Sequence, residues 1–205
     1  MFYDTKKNNH GLKYNPFKSC IVPRPIAWIT TIDENGNNNC APYSFFNGVS
    51  SEPPMIMYAN NGKSANLKKP KDTLNNIKQN KEFVVNIVSY EAINYMNETC
   101  APLKAGKSEI EYANLKYLNS KFVKPVRLTI SPIHMECKLY KIIDLPIKKT
   151  DTYNGLVIGY VLGIHIDDKV IKDGKVNLKK IKPVSRLGYM DYSFIDNIFS
   201  LKRPE

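Results

Sequence analysis

The apolar positions of the chain fall mostly into short β-branched and aromatic runs. Residues 26–32, "IAWITTI", lead into "DENGN" with its Asn-Gly turn signal, and "NCAPYSFF" then resumes a strand pattern, which predicts a β-hairpin. "MIMYA" (55–59) follows a double proline as a third strand, and "EFVVNIVSY" (82–90) is a fourth. "PIHMECKLYKII" (132–143) and "GLVIGYVLGIHID" (155–167) supply the later strands. Helical spacing is confined to few places. "KDTLNNIKQN" (71–80) puts Leu74 and Ile77 on one face behind Asp72 or Thr73 as N-cap, and "YEAINYMNETC" (90–100) aligns Ile93, Met96 and Asn97 before Ala101 and Pro102 end it. A short helix fits "SEIEYANL".

Many strands, short hairpins and few helices predict a closed or nearly closed antiparallel barrel rather than a parallel α/β sheet. No GxGxxG is present, so a nucleotide cofactor would be held without a Rossmann fold. A chain of 205 residues is expected to form one domain over 1–205. It contains no run of about 18 apolar residues to cross a membrane, and its polar N-terminus lacks the apolar stretch of a secretory signal, so a cytoplasmic location is expected.

The formal charge of +11 and the pI near 9.4 suit an anionic partner, and a basic β-barrel that binds nucleic acid is the alternative this charge raises. Lysine dominates, however. The runs "KKPK" (68–71) and "LKKIK" (178–182) are short and carry no interleaved aromatics, so they read as a solvated lysine face and no nucleic-acid partner is expected. The cysteines, Cys20, Cys40, Cys100 and Cys137, form no CxxC pair and the histidines stand apart; buried free thiols are expected, and no zinc site. No GxSxG or acid–base constellation appears, and His134 and His165 fall inside predicted strands as hydrogen-bonded structural residues.

In "NCAPYSFFNGVSSEPPMIMYA" (39–59), strand alternation puts Ala41, Tyr43 and Phe45 on one face and Pro42, Ser44 and Phe46 on the other. Pro42 on one side, and Pro53 with Pro54 on the other, bracket "SFFNGVSS" with positions that interrupt pairing, which offers its amides to a ligand. A buried hairpin end whose serines and Asn47 satisfy turn backbone accounts for the same pattern. In "PKDTLNNI" the helix start offers free amides and a positive dipole end to a phosphate. Asp72 would then serve as a cap, with Thr73 and Lys71 as phosphate ligands; capping alone explains the residues equally.

The order of these segments resembles the flavin reductase-like, FMN-binding split-barrel family, including its flavoredoxin-like members. The resemblance rests on "RPIAWITTID" (24–33), residues 39–59, "KDTLNNI" (71–77), "EFVVNIV" (82–88), "MNETCAPLKAGKSEIEYANL" (96–115) and "VSRLGYMDY" (184–192). It implies a mainly β fold, a six-stranded antiparallel Greek-key split β-barrel with flanking helices. It also implies a homodimer that binds FMN near the subunit interface and reduces it with NADH or NADPH for an unidentified electron acceptor. An FMN-binding electron carrier that does not react with NAD(P)H is the alternative. By the same resemblance Ser44, Phe45, Phe46, Asn47, Ser50 and Ser51 approach the flavin ring and ribityl chain, and Lys71, Asp72 and Thr73 its phosphate. Arg186 and Tyr192 belong to a tail near the active site that commonly reads Arg-Leu-Gly-Gly, where Tyr189 stands in place of the second glycine. Arg24 is assigned a structural role at the strand entry. No catalytic acid or base is needed, because hydride passes between the rings of two cofactors.

Overall fold

A computed structural model describes residues 1–62, 71–103, 107–147 and 153–204. Of the basic run 68–71, only Lys71 lies within them. Seven strands form one antiparallel sheet: β1 (Ala27–Ile32), β2 (Asn38–Tyr43), β3 (Phe46–Ser51), β4 (Pro54–Gly62), β5 (Glu82–Ile87), β6 (Ile133–Asp144) and β7 (Tyr153–Ile166), in the spatial order β2-β1-β5-β6-β7-β4-β3. The hairpin predicted through "DENGN" pairs Ala27 with Tyr43 and Ile32 with Asn38.

The sheet is open. Edge strands β2 and β3 do not pair, and among the described residues no sheet closes into a barrel, so the expected six-stranded split barrel is replaced by a seven-stranded open sheet. The edge chemistry of β2 explains why. The Cys40 N–H that points away from β1 donates to Glu109 Oε2 at 3.0 Å, and Pro42, two residues on along the same edge, has no N–H to give. The sheet nevertheless curls. Ile29, Tyr43, Phe46, Tyr58, Phe83, Cys137 and Val157, one from each strand, share a single buried cluster, and the Tyr43 and Tyr58 rings meet at 4.7 Å. Gly159 on β7 makes room in this cluster, since a Cβ there would sit 2.6 Å from Phe83 Cζ.

Helix α1 (Asp72–Asn80) adds Leu74 and Ile77 to that cluster, as its spacing predicted. Its N-cap is Lys71 in an extended conformation with no side-chain cap bond, so Asp72 and Thr73 are the first helical residues rather than the expected cap. "SFFNGVSS" also differs from expectation. Only Ser44 and Phe45 lie outside the strands, the Phe45 carbonyl still accepting from the Ala59 amide at 2.8 Å, while Phe46–Ser51 pairs with β4 as an edge strand with an irregularity between Gly48 and Ser50.

A second cluster, around Trp28, Met96, Ile110, Val126 and Leu128, packs α2 (Ile93–Glu98) and α3 (Glu109–Tyr112) over the other face. Here buried side chains hold an irregular segment by its backbone. Glu136 accepts from the Lys121 and Phe122 amides at 2.8 and 2.6 Å, Asn86 Oδ1 from the Leu128 amide at 2.9 Å, and His134 Nε2 meets the Leu128 carbonyl at 2.8 Å. His165 Nε2 lies against Glu136 as well, so both strand histidines are hydrogen-bonded. Of the thiols expected to be buried, Cys40 and Cys137 are, while Cys20 and Cys100 are exposed.

The chain entry and the tail meet in a small second sheet, in which Arg24–Pro25 pairs with β8 (Val184–Arg186) and β8 with β9 (Tyr192–Phe194). Arg24 is buried and donates to the carbonyls of Lys18, Ile21 and Leu187, the structural role expected of it. Gly188 completes the junction: a Cβ there would overlap Ser19 Oγ.

Candidate functional site

A cleft runs from the start of α1, past the end of β2, to the tail. It consists of two cavities, of about 310 Å³ and 300 Å³, that share Pro42, Tyr43 and Cys100 as walls. Together they have the size of a cofactor pocket.

The first cavity is lined by Asn39, Lys71, Asp72, Thr73 and Glu109, among others. The first amides of a helix have no intrahelical acceptor, and among the described residues no side chain is bonded to those of Asp72 and Thr73, so the start of this nine-residue helix suits an anion. The Thr73 side chain turns inward: Oγ1 donates to Asn39 Oδ1 at 2.8 Å, and the residue is only 1% exposed. Thr73 therefore offers the cavity its backbone, not its hydroxyl proton. Lys71 Nζ lies 5.5 Å from the centre of the Tyr43 ring, and burial together with the nearby Lys18 lowers its pKa.

Glu109 fixes this end from behind. Its Oε2 accepts from Asn39 Nδ2 at 2.9 Å as well as from the Cys40 amide, which ties α3 to β2 and, through Asn39, to Thr73. Burial raises the Glu109 pKa; the Cys40, Glu109 and Asn39 donors oppose that rise.

The second cavity is lined by Ile26, Ser44, Met96, Asn97, Arg186 and Tyr192, besides the shared wall. The Arg186 guanidinium stacks on Tyr192 at 4.3 Å and donates to the Tyr189 carbonyl at 2.6 Å. That carbonyl is presented by a tight turn closed between Leu187, Gly188 and Asp191, with Tyr189 at φ +54°. The tyrosine thus holds a left-handed conformation usual for glycine, and its ring packs on Tyr14 at 5.6 Å. Cys100 has its thiol pKa raised by burial and pulled back by Arg186 and Lys71.

Of the residues proposed from the sequence, the cleft brings together Ser44, Lys71, Asp72, Thr73, Arg186 and Tyr192. The others stand apart from it. Phe45 lies beneath the Arg24 guanidinium at 5.6 Å, and Phe46 is in the core. Asn47 accepts from its neighbour Gly48 at 2.9 Å, and Asn47 and Ser50 pair with Met57 and Met55 on the outer face of the sheet, with Ser51 exposed at the end of the strand. Sequence reasoning missed Asn39, Tyr43, Asn97, Cys100 and Glu109. The alternating aromatic pattern could have found Tyr43; Asn39 and Glu109 are 70 residues apart and carry no local signal.

FMN fits what is present. Lys71 and the amides of Asp72 and Thr73 would hold its phosphate, Ser44 and Asn97 would meet polar edges, and Pro42, Tyr43, Met96 and Tyr192 supply apolar and aromatic cover. Comparison with known proteins agrees. Residues 19–191 match the model of the flavin reductase like domain. A protein of Halalkalibacterium halodurans is 35% identical over 200 residues, 98% of this chain and 93% of that one. The crystal structure of nitrilotriacetate monooxygenase component B from Bacillus cereus matches with a TM-score of 0.88 at 31% identity, covering 98% of each chain. The 2-nitrobenzoate 2-nitroreductase of Pseudomonas fluorescens matches with a TM-score of 0.84 at 29% identity, covering 100% of this chain and 96% of that one. The chain belongs to the flavin reductase-like, FMN-binding family of oxidoreductases.

Proposed function

We propose that this protein is an NAD(P)H:flavin oxidoreductase, in which hydride passes from nicotinamide C4 to the N5 atom of FMN bound in the cleft. The observation that carries this reading is the pair of cavities that share Pro42, Tyr43 and Cys100 as walls, with helix-start amides and Lys71 in one and aromatic and polar side chains in the other. When bound, the flavin supplies the hydride-accepting atom. The chain's own work is to anchor the phosphate at α1, cover one face of the ring, and leave the other open for a second ring to stack. Relatives named as a monooxygenase component and as a nitroreductase support a redox role in which the acceptor varies.

A homodimer belongs to the same proposal. Leu156, Ile158 and Tyr160 of β7 alternate with residues facing the core, and their partners Ala59, Met57 and Met55 on β4 extend an apolar outer face. Leu162 follows at a register shift of β7 and is 44% exposed. A second copy seated there would cover this surface and bring Asn47 and Ser50, on the adjoining strand, into a subunit interface.

The test is titration of the purified protein with FMN, followed by anaerobic mixing of the complex with NADH and with NADPH. Tight FMN binding with bleaching of the flavin band is expected. Binding without bleaching by either nucleotide would identify an electron carrier instead.

A further inference from the structure

We propose that Arg186 is the receptor for an oxyanion on the second ligand of the cleft, so that the molecule exchanging electrons with the flavin is recognised by a phosphate or carboxylate group. This inference rests on the flavin reading above. Arg186 lines the second cavity and not the one that holds the start of α1, so it is not the group that anchors a phosphate at the helix. Its guanidinium is held in place by the Tyr192 ring and the Tyr189 carbonyl, with Met190 Sδ at 3.9 Å. None of these neutralises it, and among the described residues no carboxylate pairs with it.

A second guanidinium sharpens the imbalance. Arg24 is buried, and its hydrogen bonds go to neutral carbonyls. Burial first, and the charge of Arg186 second, lower its pKa, so the two cations feel each other, with no carboxylate paired to either among the described residues. Like charges held this way are costly unless an anion joins them, and a planar guanidinium with fixed orientation is suited to bidentate oxyanion recognition. The left-handed Tyr189 is part of the device, because that conformation shapes the turn whose carbonyl orients Arg186.

Cys100 gives a probe that does not depend on flavin, since it shares the second cavity with Arg186 and is exposed. The experiment compares alkylation of Cys100 by iodoacetate, an anion, and by neutral iodoacetamide, normalised to Cys20 and read by peptide mass spectrometry. The ratio cancels any change in thiol ionisation. It is expected to fall about threefold or more in Arg186→Gln and to be retained in Arg186→Lys. In the unaltered protein the preference should vanish between about 0.01 M and 1 M salt, as the screening length shrinks from about 30 Å to 3 Å, and it should survive in Lys71→Ala, which removes the other cation beside Cys100 and keeps the test valid if Arg186→Gln does not fold. An unchanged ratio at Cys100, or a preference indifferent to salt, overturns the proposal.

Two kinetic arms on the FMN-loaded protein then identify the source. Arg186→Gln should lower the rate with NADH or NADPH relative to phosphate-free 1-benzyl-1,4-dihydronicotinamide about tenfold if the oxyanion is the nucleotide's. It should lower the rate with a carboxylated quinone relative to its unsubstituted parent if the oxyanion is the acceptor's. Loss of discrimination in neither arm overturns the assignment to a substrate. Failure to bind FMN at all would instead count against the flavin reading, with the alkylation result still deciding the anion site.

Discussion

The hydroxyl of Thr73 is committed to Asn39, and that geometry changes what its removal should do. From the sequence, a threonine at a helix start reads as a phosphate ligand, and Thr73→Ala would weaken FMN binding more than folding. With the side chain buried and its amide retained, the expectation reverses. Thr73→Ala should cost about 1 kcal/mol of stability, a typical buried hydrogen bond, and change the FMN dissociation constant less than Lys71→Ala does. Urea unfolding and flavin titration of both variants check this; a larger affinity loss in Thr73→Ala would return the hydroxyl to the phosphate. Residue identity alone could not show this, because the partner, Asn39, lies 34 residues away on another element. Arg24 is legible as structural from its place between two prolines at a strand entry, while its burial and its carbonyl partners are set by the fold.

Strands were the most readable elements, and the reason is visible in β1 and β5, whose β-branched residues are buried on both faces. Their partners and the edge were not. Pro42 reads as interrupting the ladder, yet the acceptor that takes the Cys40 amide comes from α3, so openness of the sheet is a tertiary property. Phe46–Ser51 reads from its composition as a hairpin end or as amides open to a ligand, because its pairing is set by β4 and not by its own residues.

The segment pinned across β5 and β6 gives a prediction in acid. Burial lowers the His134 pKa from 6.5 to about 4, so the folded state refuses a proton that the unfolded chain takes up below about 6.5. Glu136 is opposed by burial but held below its ordinary pKa by the Lys121 and Phe122 amides and by His165. Both signs agree. The His134 contribution is lost as pH falls from about 6.5 toward 4, and that of Glu136 is lost below the ordinary carboxylate range. For His134 the loss approaches about 3 kcal/mol. Urea midpoints between pH 7 and pH 4 should fall accordingly, and His134→Gln should flatten the upper part of that slope; an unchanged slope would remove His134 from the account.

Across the molecule, the sheet carries one face turned to the core and α1, while the outer side of β4 and β7 is left apolar. Leu162→Lys should therefore shift the protein from dimer to monomer in light scattering and leave its circular dichroism intact. A monomeric unaltered protein would contradict the proposed assembly. The family resemblance came from the order of segments over most of the chain, which is why membership was legible when the cleft was not. The cleft is assembled from β2, α1, α2, α3 and the tail, and no contiguous stretch contains it.

The most direct measurement is rapid mixing of the anaerobic FMN complex with NADPH and with NADH, following the flavin absorbance. Bleaching in a phase whose rate rises with nucleotide concentration and saturates is the result this account predicts. A protein that binds no FMN, or a bound flavin that stays oxidised with both nucleotides, would contradict it.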